Sequence, residues 1–320
     1  MKPSMISSKV RAFVFLATLS VAATYVPSAR AVVIGPYIAD AETLFLYHFD
    51  ETSGLIDPGN PIVNSGSKGA AFNLTSTGGP DGRNNTGDGG YGAPAFSGFG
   101  SAFDVFASGD GTYHSLSGSS SIGGGVNTVG VTQSQADYQG LDGAFSYELM
   151  LNISDVTSNR SIISRDNLTS NRGMAVGIAS GQLAFFGGSS SGSFSRPIPV
   201  SGDHAFVADE WFHLAITYTG NEGAANNLTF YWTRVDPSVT AANSIGNATL
   251  SADLSNATTD LYIGSTGRAP YRTETEFIDE VRFSAVARGA DEFLFSIPEP
   301  STFTLVAFGL AAVGLRRRSS

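Results

Sequence analysis

An all-β fold, a two-sheet antiparallel β-sandwich of jelly-roll type, follows from three observations on this 320-residue chain. Apolar residues come in runs of strand length. In one of them Phe145, Tyr147, Leu149, Leu151 and Ile153 alternate with Ser146, Glu148, Met150 and Asn152, the period expected of an antiparallel strand with one face in the core. Turn-forming Gly, Asn, Asp and Ser recur about every ten residues, and no interior segment carries a long helical period.

The chain opens on Lys2, Lys9 and Arg11, an apolar stretch from Ala12 to Ala23, and Ala29-Arg30-Ala31. These are the basic, apolar and small-x-small parts of an export signal, with cleavage expected after Ala31. Residues 1–31 are therefore read as a signal peptide. Residues 32–296, roughly 265, are enough for one large β-domain, and no second domain is required.

Within that domain Thr43 to Glu51 is a dense apolar and aromatic run, read as a strand buried on both faces and ended by Thr52-Ser53-Gly54. From Asp57 to Gly140 the chain is rich in Gly, Ser, Asn and Asp, with short apolar pieces at Ala71 to Leu74 and Ala95 to Ala107. Loops joining short strands are expected there, with surface insertions at about 76–94 and 117–140. Asp81 to Gly90 resembles a calcium loop only superficially, because Arg83 stands where Asp or Asn is needed and no Glu closes it. Further strands are expected at Phe145 to Ile153, Ser161 to Ser164, Met174 to Ile178 and Gln182 to Phe186. Trp211 to Tyr218, apolar on nearly both faces, should be central in a sheet, and Leu228 to Val235, Leu261 to Ile263 and Phe277 to Phe283 complete the series.

The whole sequence carries a net charge of −10. Between Val32 and Leu315 stand 11 of the 18 basic residues against all 28 acidic ones, a net −17, which excludes nucleic acid as a natural partner. With no cysteine there are no disulfides, thiolate zinc sites or cysteine nucleophiles. Lys68 is the single lysine after the signal, which argues against Schiff-base and phosphate-cradling lysine chemistry.

The C-terminal residues 297–320 read as an address. Pro298-Glu299-Pro300 keeps the approach extended. Phe303 to Leu315 is uncharged, yet about thirteen helical residues reach only ~20 Å against a ~30 Å hydrocarbon core, so a short transmembrane helix is expected. Arg316, Arg317 and Arg318 should hold its end on the cytoplasmic side. The combination resembles the PEP-CTERM sorting signal. That resemblance implies export through the inner membrane and recognition by an exosortase-type membrane protease. The expected location is the envelope, surface or matrix of a Gram-negative bacterium, with the tail in the membrane at least transiently.

A second resemblance rests on Tyr47-His48-Phe49-Asp50-Glu51, Gly143 to Glu148, Ile163-Ser164-Arg165-Asp166, Glu210 to Ala215, Leu261 to Gly264, Phe277 to Phe283 and Ala287-Arg288. In this order they resemble the laminin-G-like and concanavalin A-like jelly rolls of secreted proteins. The chain departs from that pattern in its long 57–140 region and in Trp232 to Pro237, read as replacing the glycine-bearing hairpin usual after the Trp-x-His strand.

Enzymes resembling family 16 glucanases use a Glu-x-Asp-x-x-Glu strand, whose alternate positions aim two carboxylates at one sugar bond. Here Glu276-Phe277-Ile278-Asp279-Glu280 has Phe277 two residues before Asp279, so the acid pair is missing. Gly188-Ser189-Ser190-Ser191-Gly192 matches a nucleophile elbow in letters, but that motif needs a strand-to-helix turn. His48, His114, His204 and His213 lack metal spacing, and His213 is expected as a hydrogen-bonded core residue, with Trp211 and Trp232 also core. No catalytic function is expected. A glycan-binding or structural module of an extracellular polysaccharide is, with a secreted glycoside hydrolase or lyase as the alternative. Ring faces for a sugar are sought in Tyr91, Tyr113, Tyr138 and Tyr271, all expected in loops.

Alternation in Phe277 to Phe283 puts Phe277, Asp279, Val281 and Phe283 on one face, so Asp279 is expected to point into the core with a compensating partner. First and last strands often lie side by side in jelly rolls resembling this one, sometimes with calcium between them. Asp50 and Asp279 are therefore the candidate Ca²⁺ ligands, the other reading being an Asp fixed by turn N–H groups.

Overall fold

The structure, a computed structural model, describes residues 36–51, 61–76, 90–92, 99–104, 126–127, 143–166, 172–187, 192–236, 239, 241–252, 261–264 and 277–293. All of them fall within one compact unit, Ala31–Pro298. The expected signal peptide and C-terminal helix lie outside them. No helix among the described residues is long and apolar enough to cross a membrane.

Among the described residues fifteen strands run in chain order: β1 Thr43–Tyr47, β2 Thr75–Ser76, β3 Gly90–Gly92, β4 Ala102–Asp104, β5 Val126–Asn127, β6 Phe145–Asn152, β7 Arg160–Asp166, β8 Arg172–Ala179, β9 Gln182–Phe186, β10 Ser193–Pro197, β11 Trp211–Tyr218, β12 Leu228–Arg234, β13 Ser244–Ala248, β14 Tyr262–Ile263 and β15 Phe277–Ser284. One 3-10 turn, Gly69–Phe72, sits between β1 and β2. An eight-stranded sheet has the order β13-β12-β11-β6-β15-β4-β3, with β1 also on β15, and a seven-stranded sheet has the order β10-β9-β8-β7-β14-β5-β2. Every pairing among the described strands is antiparallel. The fold is the expected two-sheet β-sandwich.

Between the sheets lies one core, to which β6 contributes Phe145, Tyr147, Leu149 and Leu151, β11 Phe212, Leu214 and Ile216, β8 Met174, Val176 and Ile178, and β9 Leu183 and Phe185. Each strand supplies alternate residues, as the pleat requires. The expectation that β6 has one face in the core is too simple, because all eight of its residues are buried. Its second face is covered by Tyr37 and Phe99, which pack with Leu46 and Met150, and beside it Phe293 packs with Ala215 and Tyr231. The outer face of the eight-stranded sheet is thus closed by the chain's own segments.

β15 departs from simple alternation. Ile278 pairs with Leu151 and Asp279 with Met150, but the next pair is Arg282 with Glu148, so β15 carries one extra residue there. Glu280 takes the left-handed conformation, φ 52°, as a bulge residue does. The bulge reverses the phase: Ile278, Val281 and Phe283 enter the sandwich core, while Asp279 shares the outer face with Met150. This corrects the expected core face of Phe277 and Asp279. Phe277 instead meets the ring of Trp211, 6.3 Å away. The same bulge lets β4 pair with Phe277 and Ile278 while β1 pairs with Val281 to Ser284.

Other boundaries differ for local reasons. β1 ends at Tyr47, not Glu51, because Phe49 has φ 59° and turns its ring onto Phe103 at 5.4 Å. The hairpin after the Trp-x-His strand does carry glycine: Tyr218 pairs with Leu228, and the intervening turn holds Gly220 at φ 77° and Gly223 at φ 70°. Trp232 to Arg234 lie within β12 rather than replacing that turn.

Candidate functional site

Two groups of ionisable residues occupy the outer face of the eight-stranded sheet. The first stands at the rim where β1 ends beside the β15 bulge. Glu280 is fully buried; its Oε2 accepts the Tyr37 N–H at 2.7 Å, and His48 Nδ1 lies 2.9 Å from its Oε1. Burial opposes protonation of His48, but the hydrogen bond and charge of Glu280 outweigh it and raise the imidazole above its usual value. Burial raises the Glu280 carboxyl, and His48 and the Tyr37 N–H only partly counter it. Asp50 Oδ1 accepts the Ser101 N–H at 3.0 Å, and Glu51 Oε1 accepts the Val63 N–H at 2.7 Å. Gly100 is pressed against Asp50, since a β-carbon there would fall 1.9 Å from Asp50 Oδ1.

The second group bridges three central strands. Glu148 of β6 is fully buried; it accepts hydrogen bonds from Arg282 Nε of β15 and from His213 Nε2 of β11, the latter at 3.3 Å, and forms an ion pair with Arg282 Nη2. Burial disfavours the carboxylate, but the Arg282 charge and the His213 bond hold Glu148 below its usual range. Burial pushes His213 down, so a neutral imidazole donates to Glu148. Opposite charges in low dielectric compensate each other only when also hydrogen-bonded, as they are here. The Arg282 guanidinium is capped by the Tyr37 ring at 4.6 Å.

The expected site residues are placed as follows. Asp50 is exposed and bound to a backbone N–H; Asp279 is fully buried on the outer face. Among the described residues no group of three or more His, Asp or Glu side chains is arranged to hold a metal ion. Tyr91, expected in a loop, belongs to β3 and pairs with Phe103 through its backbone, a bond that needs nothing from side chains. Tyr113, Tyr138, Tyr271, Pro298, Glu299, Pro300, Arg316, Arg317 and Arg318 lie outside the described residues. His213 is buried and hydrogen-bonded and Trp232 is buried, as expected, while Trp211 is half-buried. Of the Gly188 to Gly192 string, residues 188–191 lie outside the described residues; the Gly187 N–H donates to the Gly192 carbonyl at 2.9 Å, and β9 pairs antiparallel with β10. The Glu148, His213 and Arg282 cluster was missed. Its signal is a charged or imidazole residue in the middle of each of three apolar strands.

A family model for the concanavalin A-like lectin/glucanases superfamily, of laminin-G type, matches residues 123–293, more than half of the chain, and the chain belongs to that family. The PEP-CTERM protein-sorting motif matches residues 296–318. That motif implies an exported protein of the bacterial cell envelope or surface, processed by an exosortase. A search of the curated proteins finds no match. Among solved structures, the binding domain of botulinum neurotoxin serotype G matches at a TM-score of 0.45 and 14% identity, over 79% of this chain and 50% of that one. The binding domain of Paraclostridial Mosquitocidal Protein 1 matches at 0.48 and 11%, over 80% and 51%. Domain 4 of AbnA, an extracellular GH43 arabinanase from Geobacillus stearothermophilus solved with arabinotriose, matches at 0.47 and 17%, over 80% and 97%. The chain spans about half the length of the two toxin domains.

Proposed function

We propose that the chain is a non-catalytic module of the cell surface or extracellular matrix of a Gram-negative bacterium, binding or organising exopolysaccharide after its tail is removed by an exosortase. The observation that carries this reading is the presence on one chain of a concanavalin A-like domain and a PEP-CTERM motif. The non-catalytic part is supported by the way the outer-face acids are engaged. Glu148 is held by Arg282 and His213, Glu280 by His48 and Tyr37, and Asp40 by Arg288 and Thr43, whereas glycoside hydrolysis needs two carboxyl groups facing one open cleft. Calcium on Asp50 and Asp279 belongs to the proposal on donor chemistry alone, since both offer the oxygens a hard cation prefers.

The processed protein on a glycan array tests the reading. Binding to extracellular polysaccharide fragments, weakened by Ala at Tyr91, Tyr113, Tyr138 or Tyr271, is the expected result for a binding module; a structural module leaves the array blank but sediments with the matrix. Turnover in reducing-sugar or unsaturated-product assays, abolished by replacing one carboxylate, would establish a glycoside hydrolase or lyase instead.

A further inference from the structure

Both ends of the sandwich domain meet on the outer face of the eight-stranded sheet. On the N-terminal side Tyr37 is buried, anchored by Glu280 and by the Arg282 guanidinium. Asp40 then forms a staple: its Oδ1 accepts from Thr43 Oγ1 at 2.7 Å and from the Glu42 N–H at 3.1 Å, and its Oδ2 accepts from Arg288 Nη2 at 2.7 Å. On the C-terminal side Arg288 is nearly buried. Its Nε donates to Ser284 Oγ at 3.0 Å and its N–H to Ser146 Oγ at 2.8 Å, while the Ser146 hydroxyl donates to the Val286 carbonyl at 2.6 Å. The Ala285 N–H reaches the Glu42 carbonyl at 2.9 Å, and the Ala242 N–H reaches the Ala290 carbonyl at 2.8 Å. Phe293 closes the segment, its ring 5.2 Å from Tyr231 and 5.0 Å from His213.

We propose that residues 37–42 are a latch on residues 285–293, and that the latch sets how much chain is free ahead of the sorting motif. The motif match begins at residue 296, three residues past buried Phe293. With the latch closed, a processing enzyme has only the residues after Phe293 to work with. Released, the nine residues 285–293 add roughly 30 Å of extended chain. The joint is built for this. Two short segments at opposite ends of the sequence are tied by one charge-assisted pair at half-exposed Asp40 and one backbone bond, while each is separately anchored by an aromatic ring. Loosening one segment must therefore loosen the other, and by equal free energy in both directions. The consequence for processing rests on the exosortase reading above; the coupling itself does not.

Hydrogen exchange read by mass spectrometry on the full chain tests the coupling. Asp40→Ala should raise exchange of the amides in 286–293 at least tenfold, and Phe293→Ala should raise that of 37–42 comparably. Asp40→Asn keeps an oxygen for Thr43 and Glu42 and removes the charge, and it should act in the same direction should the Ala variant fail to fold. Asp155→Ala, at a turn between β6 and β7, should change neither segment. Exchange changes confined to 37–43 in the Asp40 variants, or an equal rise at 286–293 in Asp155→Ala, overturn the latch whatever happens to the tail. In cells, the Asp40 variants should lose their tail at least twofold faster; an unchanged rate alongside intact exchange coupling overturns the control of processing.

Discussion

Replacing Glu148 by Gln removes one charge from the middle of the eight-stranded sheet at almost constant volume. The Arg282 side chain, only 7% exposed, then keeps a buried positive charge with the Tyr37 ring and no carboxylate beneath it. Removing one partner of a buried, hydrogen-bonded ion pair costs about 3–5 kcal/mol, against a total of about 5–15 kcal/mol for a domain. At about 2–4 °C per kcal/mol for a domain of this size, the midpoint should fall by about 6–20 °C. Glu148→Leu combined with Arg282→Met removes both charges and should recover most of the loss. Urea titration followed by fluorescence of Trp211 and Trp232 measures both variants. The wild type should also lose stability in acid. The folded-state value of Glu148 lies below its ordinary 4.5, so its contribution is complete above about pH 4.5 and disappears as pH falls through the folded value. Glu148→Gln should lack that component. A loss below about 1 kcal/mol for Glu148→Gln, or a double variant no more stable than the single one, would refute the argument.

Gly100→Ala should destabilise by at least about 1–2 kcal/mol, because Gly100 has φ 72° and the new β-carbon meets the Asp50 carboxylate; a melting midpoint within a degree of wild type contradicts the described turn. Calcium at a hundred times its dissociation constant should stabilise by about 2.7 kcal/mol if Asp50 and Asp279 hold it, and identical melts in EDTA and millimolar calcium would end that proposal. Extracellular protein should lack the apolar run and arginines after Pro298-Glu299-Pro300, and mass spectrometry recovering an intact Arg316 to Arg318 end on secreted protein would oppose the processing reading.

The long strands were legible because their pattern is hydrophobic and physical. Trp211 to Tyr218 has the bounds read from the sequence, and β6, β9 and β12 fall within one residue of theirs. The strands β3, β5, β10 and β13 were not legible. Gly90–Gly92, Val126–Asn127, Ser193–Pro197 and Ser244–Ala248 are short and polar or glycine-bearing, and they are strands because a neighbour supplies backbone partners rather than because their side chains demand it. The burial of His213 was anticipated from its apolar strand. Its partners were not, since bringing Glu148, Arg282 and His213 together depends on strand order, which alternation does not encode. Asp279 was read as buried for the wrong reason: alternation assumed no bulge.

That one extra residue in β15 makes the strand a splice between two reading frames. Ahead of Asp279 the inward letters are the even ones, with Ile278; after Glu280 they are the odd ones, Val281 and Phe283. A plain ladder with every residue kept would turn Val281 and Phe283 outward together and drive Arg282, and with it the partner of Glu148, between the sheets, whereas loss of one residue at the bulge would leave all three on the faces they now occupy. What the extra residue adds is therefore not core but Glu280 itself, with its bonds to the Tyr37 N–H and to His48.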